Sequence, residues 1–204
     1  LPNLTSGLLP VSSFVDTLIS TLVGQLEQLR ELGFKNIIVI NLPAVQFTPM
    51  ITQENFQNIS ATAVTHYNNK LFVKVNEWLE NASGIKYLAM GNLGEFVDLT
   101  VNSPAISAAL NITDVTQACI KSMDTLSLFE MIMGALDSND MCSDPGSKYF
   151  FDGVHPSERV HRLYGYYCWQ LVIAASNGKV FELSEASLLS LIDEYNLGSA
   201  VLKP

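Results

Sequence analysis

Near the start of the chain Phe14, Val15, Leu18, Ile19, Leu22, Leu26 and Leu29 recur at helical spacing and form one broad apolar stripe. The pattern predicts a helix, capped by Ser12 or Ser13 and stopped by Gly33 in a left-handed conformation. After Lys35-Asn36 comes Ile37-Ile38-Val39-Ile40, a β-branched run without alternation, closed by Asn41-Leu42-Pro43. Such a run predicts a strand covered on both faces, as in a parallel sheet packed between helices. Phe56, Ala63, Tyr67, Leu71, Val75 and Trp78 then mark the inner face of a second helix from about Glu54 to Glu80. A break at Ser83-Gly84 precedes a short strand, Ile85–Met90. The stretch Gly91–Lys148, with Pro104 and no sustained period, is expected to be irregular apart from one helix near Thr125–Leu136. Tyr149-Phe150-Phe151 is a short aromatic strand, followed by an amphipathic helix from Ser157 to about Ala175 and a shorter one over Ser184–Tyr195.

Helix–strand–helix–strand–loop–helix is the rhythm of an α/β fold with parallel strands. The order opens on a helix, however, and two parallel strands are too few to bury two long helices. The pattern therefore predicts that the sheet is completed from outside these residues, by the rest of a longer chain or by a second chain. Residues 1–204 are then one domain's C-terminal portion.

Composition narrows the class. With 20 Asp and Glu against 11 Lys and Arg the net charge is −9, and no basic stretch occurs. That argues against nucleic acid, whose phosphates demand a concentrated basic surface, and against an anionic membrane surface. The longest uncharged runs, Leu99–Thr113 and Leu163–Gly178, are too short and too polar to span a bilayer, so a soluble chain is expected. Four Asn-x-Ser/Thr sequons, at Asn3, Asn58, Asn81 and Asn111, suggest a secreted glycoprotein. The three cysteines fit no zinc or redox spacing. In an oxidising compartment the expected pair is Cys119–Cys142, two loop-like positions flanking a short helix. Cys168 reads as a buried thiol, or as a partner for something outside the chain.

The sharpest chemical feature is Phe151-Asp152-Gly153-Val154-His155-Pro156-Ser157-Glu158, between an aromatic strand and a helix start. Asp152 and His155 are three apart on a turn, where their side chains can converge. A carboxylate beside an imidazole fixes its tautomer and stabilises the imidazolium formed when it takes a proton. The same spacing also suits a structural turn in which His155 caps the helix. His66 falls on the second helix and His161 on the last, and no histidine pair has metal-ligand spacing, so no metal is expected.

Several strings, in order, resemble the C-terminal portion of secreted GDSL (SGNH) esterases and lipases of the fungal and plant kind. They are Leu26 to Pro43 with its helix, glycine and strand, then Thr48-Pro49, then Tyr67-Asn68-Asn69-Lys70-Leu71. Asn102-Ser103-Pro104, Asn111-Ile112-Thr113, Cys119 and Cys142 resemble the family's disulfide-bearing loop. Tyr149 to Ser157 is similar to its last block. The likeness covers about Val11 to Ala175. It implies a three-layer α/β/α fold with a parallel sheet, His155 as the base that activates a serine, and Asp152 as the group that orients it, with no cofactor. No Gly-Asp-Ser string occurs here, and Gly91-Asn92-Leu93-Gly94 is out of order for the family's Gly-x-Asn-Asp block. The resemblance thus implies an ester substrate and a companion N-terminal segment that carries the nucleophile, without which the chain is inactive. Acyl length stays open, from acetyl groups on carbohydrate to lipid chains. The rival expectation is a non-catalytic secreted scaffold or binding protein built on the hydrolase fold.

Overall fold

The structure is a computed structural model that describes residues 11–120 and 141–199. Its elements are α1 (Val11–Glu31), β1 (Asn36–Ile40), α2 (Pro49–Gln53), α3 (Gln57–Asn81), β2 (Tyr87–Gly91), α4 (Leu93–Asn102), α5 (Pro104–Ala109), β3 (Asp114–Ala118), β4 (Lys148–Phe150), α6 (Glu158–Ser176) and α7 (Glu185–Glu194). The class is mixed α/β, and β1 pairs in parallel with β2, β3 with β4.

β1 and β2 form the middle layer. In their register Ile37 faces Leu88, Ile38 faces Ala89 and Val39 faces Met90. Successive side chains of a strand point to opposite faces. Ile37 and Val39, with Leu88 and Met90 beside them, accordingly join a core with Val15, Ile19 and Leu26 of α1 and Tyr67, Leu71 and Val75 of α3. Ile38 and Ala89 face the other core, built from Phe96 of α4, Tyr149 and Phe150 of β4, and Val160, Leu163, Tyr167 and Leu171 of α6. The unalternating run thus sits between two helical layers. Its other edge is open: among the described residues β1 pairs only with β2. Ile40 and Leu42 at its end, and Phe14 and Leu18 on α1, remain exposed.

α1 ends as expected. Gly33 takes φ +90°, and Phe34 N–H reaches back to Leu29 O at 3.0 Å, closing the last turn. Ser12 and Ser13 lie inside α1 instead of ahead of it. α1 is fixed to α3 by the Lys70–Asp16 ion pair and by Trp78 Nε1, which donates to Glu27 Oε2 at 3.0 Å. α3 starts at Gln57 after a separate turn, α2, and Val64 is among the residues on its inner face. Phe56 is exposed ahead of it.

The stretch after β2 is more ordered than its hydropathy predicts. It folds into α4, α5 and β3, while the helix expected over Thr125–Leu136 lies outside the described residues. Asn92 caps α4 by accepting from Glu95 N–H, and Ser103 caps α5 ahead of Pro104. The Cys119–Cys142 disulfide is formed, and Cys168 is a free, half-buried thiol that burial pushes up. No described helix is long and apolar enough to cross a membrane.

β3 is a polar strand held by its ends. Burial works to raise the Asp114 carboxyl, but Lys148 Nζ at 2.6 Å and the backbone N–H groups of Thr116 and Gln117 outweigh it. The net effect holds Asp114 well below the usual carboxylate range. A depressed carboxylate stabilises the fold fully above its unfolded value of 3.8 and loses that contribution as pH falls below it. Urea unfolding at pH 7 and pH 3 is expected to show a smaller acid-induced loss of stability in Asp114→Asn than in the parent. Equal losses would mean that the pair contributes nothing.

Candidate active site

The aromatic strand β4 delivers the Asp-Gly-Val-His turn. Tyr149 and Phe150 are buried, and Tyr149 Oη shares a 2.7 Å hydrogen bond with Thr100 Oγ1 of α4. Burial pushes the Tyr149 phenol up, so the bond stays between neutral hydroxyls. Beyond β4 the chain turns back on itself: Phe151 N–H donates to His155 O at 2.9 Å and Ser157 N–H to Tyr149 O at 2.6 Å. Gly153 O accepts from Met50 N–H at 3.0 Å, tying the turn to α2.

Inside this turn Asp152 has two tasks. Its Oδ1 accepts from the N–H groups of Val154 and His155, at 2.8 and 2.6 Å. Its Oδ2 lies 2.8 Å from His155 Nδ1. Only 11% of the Asp152 side chain is exposed, against 60% of His155. A carboxylate can only accept, so Nδ1 carries the proton of the neutral ring and Nε2 keeps its lone pair. The Asp152 contact is the only hydrogen bond that the described residues make to the His155 ring. His155 does not cap α6; Ser157 holds that position. The structural alternative left by the spacing is therefore half met: Asp152 organises the turn, while the imidazole does no structural work beyond its bond to Asp152.

His155, Val154 and His161 stand at the edge of a cavity of about 340 Å³ whose other walls include Val45, Leu93, Val97 and Tyr164. Burial, with Cys168 beside it, pushes the Tyr164 phenol up, so this wall stays uncharged. The cavity lies beyond the carboxyl end of β1, where Pro43 to Thr48 form one side, the position at which open α/β sheets place ligands. His161 is exposed, with Nδ1 3.3 Å from Ser157 O, and His66 is exposed on α3 away from the cavity. No group of three or more His, Cys, Asp and Glu suited to a metal ion occurs among the described residues.

Sequence reasoning missed a second polar assembly. Asn41 Nδ2 donates to Asn92 Oδ1 at 2.8 Å, and Asn41 Oδ1 accepts from Gly94 N–H at 3.0 Å. The signal was present as one asparagine immediately after each buried strand. Of the sequons, Asn58 and Asn81 are exposed on α3. Asn111 is exposed at φ 54° with Nδ2 donating to Gly198 O at 2.9 Å, and Asn3 lies outside the described residues.

Comparison with curated proteins adds an acetylesterase from Thermothelomyces thermophilus, 26% identical over 154 residues. The chain is similar to an acetylesterase. The match takes in 74% of this chain and 42% of that protein, so the chain spans less than half the length of the relative. No family model matches.

Proposed function

We propose that the chain is the Asp- and His-bearing part of a secreted serine ester hydrolase of the SGNH type. The observation that carries this is the 2.8 Å Asp152–His155 pair at an apolar cavity, with no described residue bonded to Nε2. Nε2 takes the proton of a serine hydroxyl as its oxygen attacks the ester carbonyl carbon. The imidazolium, stabilised by the Asp152 carboxylate, then returns that proton to the alkoxide oxygen as the carbon–oxygen bond breaks. The acyl group stays on the serine until water, activated by the same nitrogen, releases the acid. The apolar cavity holds the acyl chain.

The serine and the oxyanion donors come from a companion segment of the same domain that extends the sheet from the open edge of β1. Exposed Ile40, Leu42, Phe14 and Leu18 support this, since added strands and their helices cover apolar surface left in water here. Added parallel strands also end at the same rim as β1, beside His155. The fraction of the acetylesterase matched leaves room for such a segment. Secretion and glycosylation at the exposed sequons accord with the disulfide.

The test is hydrolysis of p-nitrophenyl acetate by the full-length protein and by residues 1–204 alone. Turnover is expected only from the former. Serine-type turnover by residues 1–204 alone would contradict an external nucleophile, and a full-length protein inactive on all simple esters would leave the scaffold reading.

A further inference from the structure

A hollow of about 400 Å³ opens where the end of α5 meets the turn after α7, and it shares no lining residue with the cavity at His155. One wall is Asn111, just past α5; the other is the later part of α7 and the turn after it, between Leu189 and Ser199. Arginines of α6 pin both walls. Arg159 Nη1 donates to Leu110 O and Asn111 O, each at 3.1 Å. Arg162 Nη2 donates to Leu197 O at 3.0 Å and to Ser199 O at 2.7 Å. Gly198 lets the walls meet, since a Cβ there would stand 2.2 Å from Ala109 O. The hollow is therefore a fixed feature of the fold.

Asn111 stands at its rim as the acceptor position of the sequon Asn111-Ile112-Thr113. It is exposed, and its φ of 54° turns it out of the helical path of α5, a conformation that asparagine tolerates better than most residues. Its Nδ2 donates to Gly198 O at 2.9 Å. That bond takes one of the two amide hydrogens and leaves the other replaceable. Across the hollow the Asp193 carboxylate and the Asn196 side-chain amide are exposed and make no hydrogen bond among the described residues. Leu189 and Ile192 add apolar surface, and no Lys, Arg or His lines the space.

This combination selects an occupant. A carboxylate with no cation beside it repels an anion, and an aliphatic group would desolvate Asp193 and Asn196 without pairing them. A sugar with an acetamido group meets all three features: its N–H donates to Asp193, a hydroxyl bonds to the Asn196 amide, and its methyl group lies on Leu189. We propose that Asn111 carries an N-linked glycan whose first N-acetylglucosamine fills this hollow and braces α7 against α5. Attachment takes place on the nascent chain, with an oligosaccharide carried on a lipid pyrophosphate as donor. Asn111 Nδ2 attacks C1 of that sugar; the N–C1 bond forms, the nitrogen loses one proton, and the lipid pyrophosphate leaves with the electron pair of the broken C1–O bond. The remaining N–H makes the bond to Gly198 O as the chain folds. The proposal rests on the secreted reading, because only a chain passing through the glycosylating compartment meets that donor.

Full-length protein secreted from yeast supplies the test. Glycopeptide mass spectrometry is expected to find Asn111 occupied, and trimming every glycan to its first sugar with endoglycosidase H should leave the melting temperature unchanged. Thr113→Ala removes the sequon but keeps Asn111, and should lower the melting temperature by about 2 °C or more, whereas Thr113→Ser keeps the sequon and should not. Asp193→Ala should cost a similar amount in the parent and almost nothing in the Thr113→Ala background, where the sugar it binds is already gone. If Thr113→Ala is not secreted, Asp193→Ala and the parent compared before and after complete removal of the glycans by peptide N-glycosidase F give the same cycle. A bare Asn111 beside a glycosylated Asn58 or Asn81 overturns the proposal and leaves secretion standing. Sequons that are all bare remove the proposal and the glycoprotein reading together. An occupied Asn111 whose loss leaves the melting temperature unchanged, or whose effect adds fully to that of Asp193→Ala, means a glycan standing free in solvent and overturns the docking.

Discussion

His155→Gln is expected to lower ester turnover by the full-length protein at least about a thousandfold while leaving its melting temperature nearly unchanged. The asymmetry follows from where the ring sits. The side chain is 60% exposed and makes one hydrogen bond, so little packing is lost when glutamine replaces it. The lone pair on Nε2 has no substitute, because an amide at that place cannot take a proton at neutral pH. A melting curve and a p-nitrophenyl acetate assay on the same preparation measure both halves. A variant that unfolds, or one that keeps its turnover, would remove His155 from the chemistry and leave Asp152 as a turn residue.

Asp152 should behave differently, because its two oxygens serve different ends. Asp152→Asn keeps an oxygen for the Val154 and His155 N–H groups but turns an NH2 toward Nδ1. That amide forces the proton from Nδ1 to Nε2, the tautomer that cannot act as a base. Turnover is expected to fall by up to about 10⁴, the loss found where a triad carboxylate is made an amide. Asp152→Ala also removes the turn's acceptor and should cost about 1–3 kcal/mol in addition. The pair of variants therefore separates orientation from folding: activity falls in both, stability mainly in the second. If Asp152→Asn retained near-parental turnover, the carboxylate would be a structural acceptor alone.

The parts of this arrangement legible in the sequence are those governed by local period and local spacing. The run Ile37 to Ile40 announced a covered strand, Gly33 announced the end of α1, and the three-residue separation of Asp152 and His155 announced a convergent turn. The region after β2 hid its order for physical reasons. α4 and α5 are short, and each buries few residues: Phe96 and Thr100 on the first, Ile106 on the second. No apolar stripe can build up over such lengths, and the cap residues Asn92 and Ser103 were the only markers. β3, Asp114-Val-Thr-Gln-Ala118, is polar because its backbone ladder and the Lys148 contact hold it, not its side-chain burial. The placing of the segment after β1 beside the cavity at His155 was invisible for another reason. It depends on Met50 reaching Gly153 and Asn41 reaching Asn92, contacts between distant parts of the chain that no periodicity encodes. The Asp152–His155 pairing was thus legible in the sequence, and the space around it was not.

In the proposed mechanism His155 activates a serine supplied from outside these residues. Labelling the full-length protein with a fluorophosphonate, then locating the adduct by peptide mass spectrometry, tests it most directly. A single labelled serine outside residues 1–204 is expected, with a labelling rate lowered about a thousandfold or more by His155→Gln. An adduct on a serine of this chain, such as Ser157, or a rate that His155→Gln leaves unchanged, would contradict it.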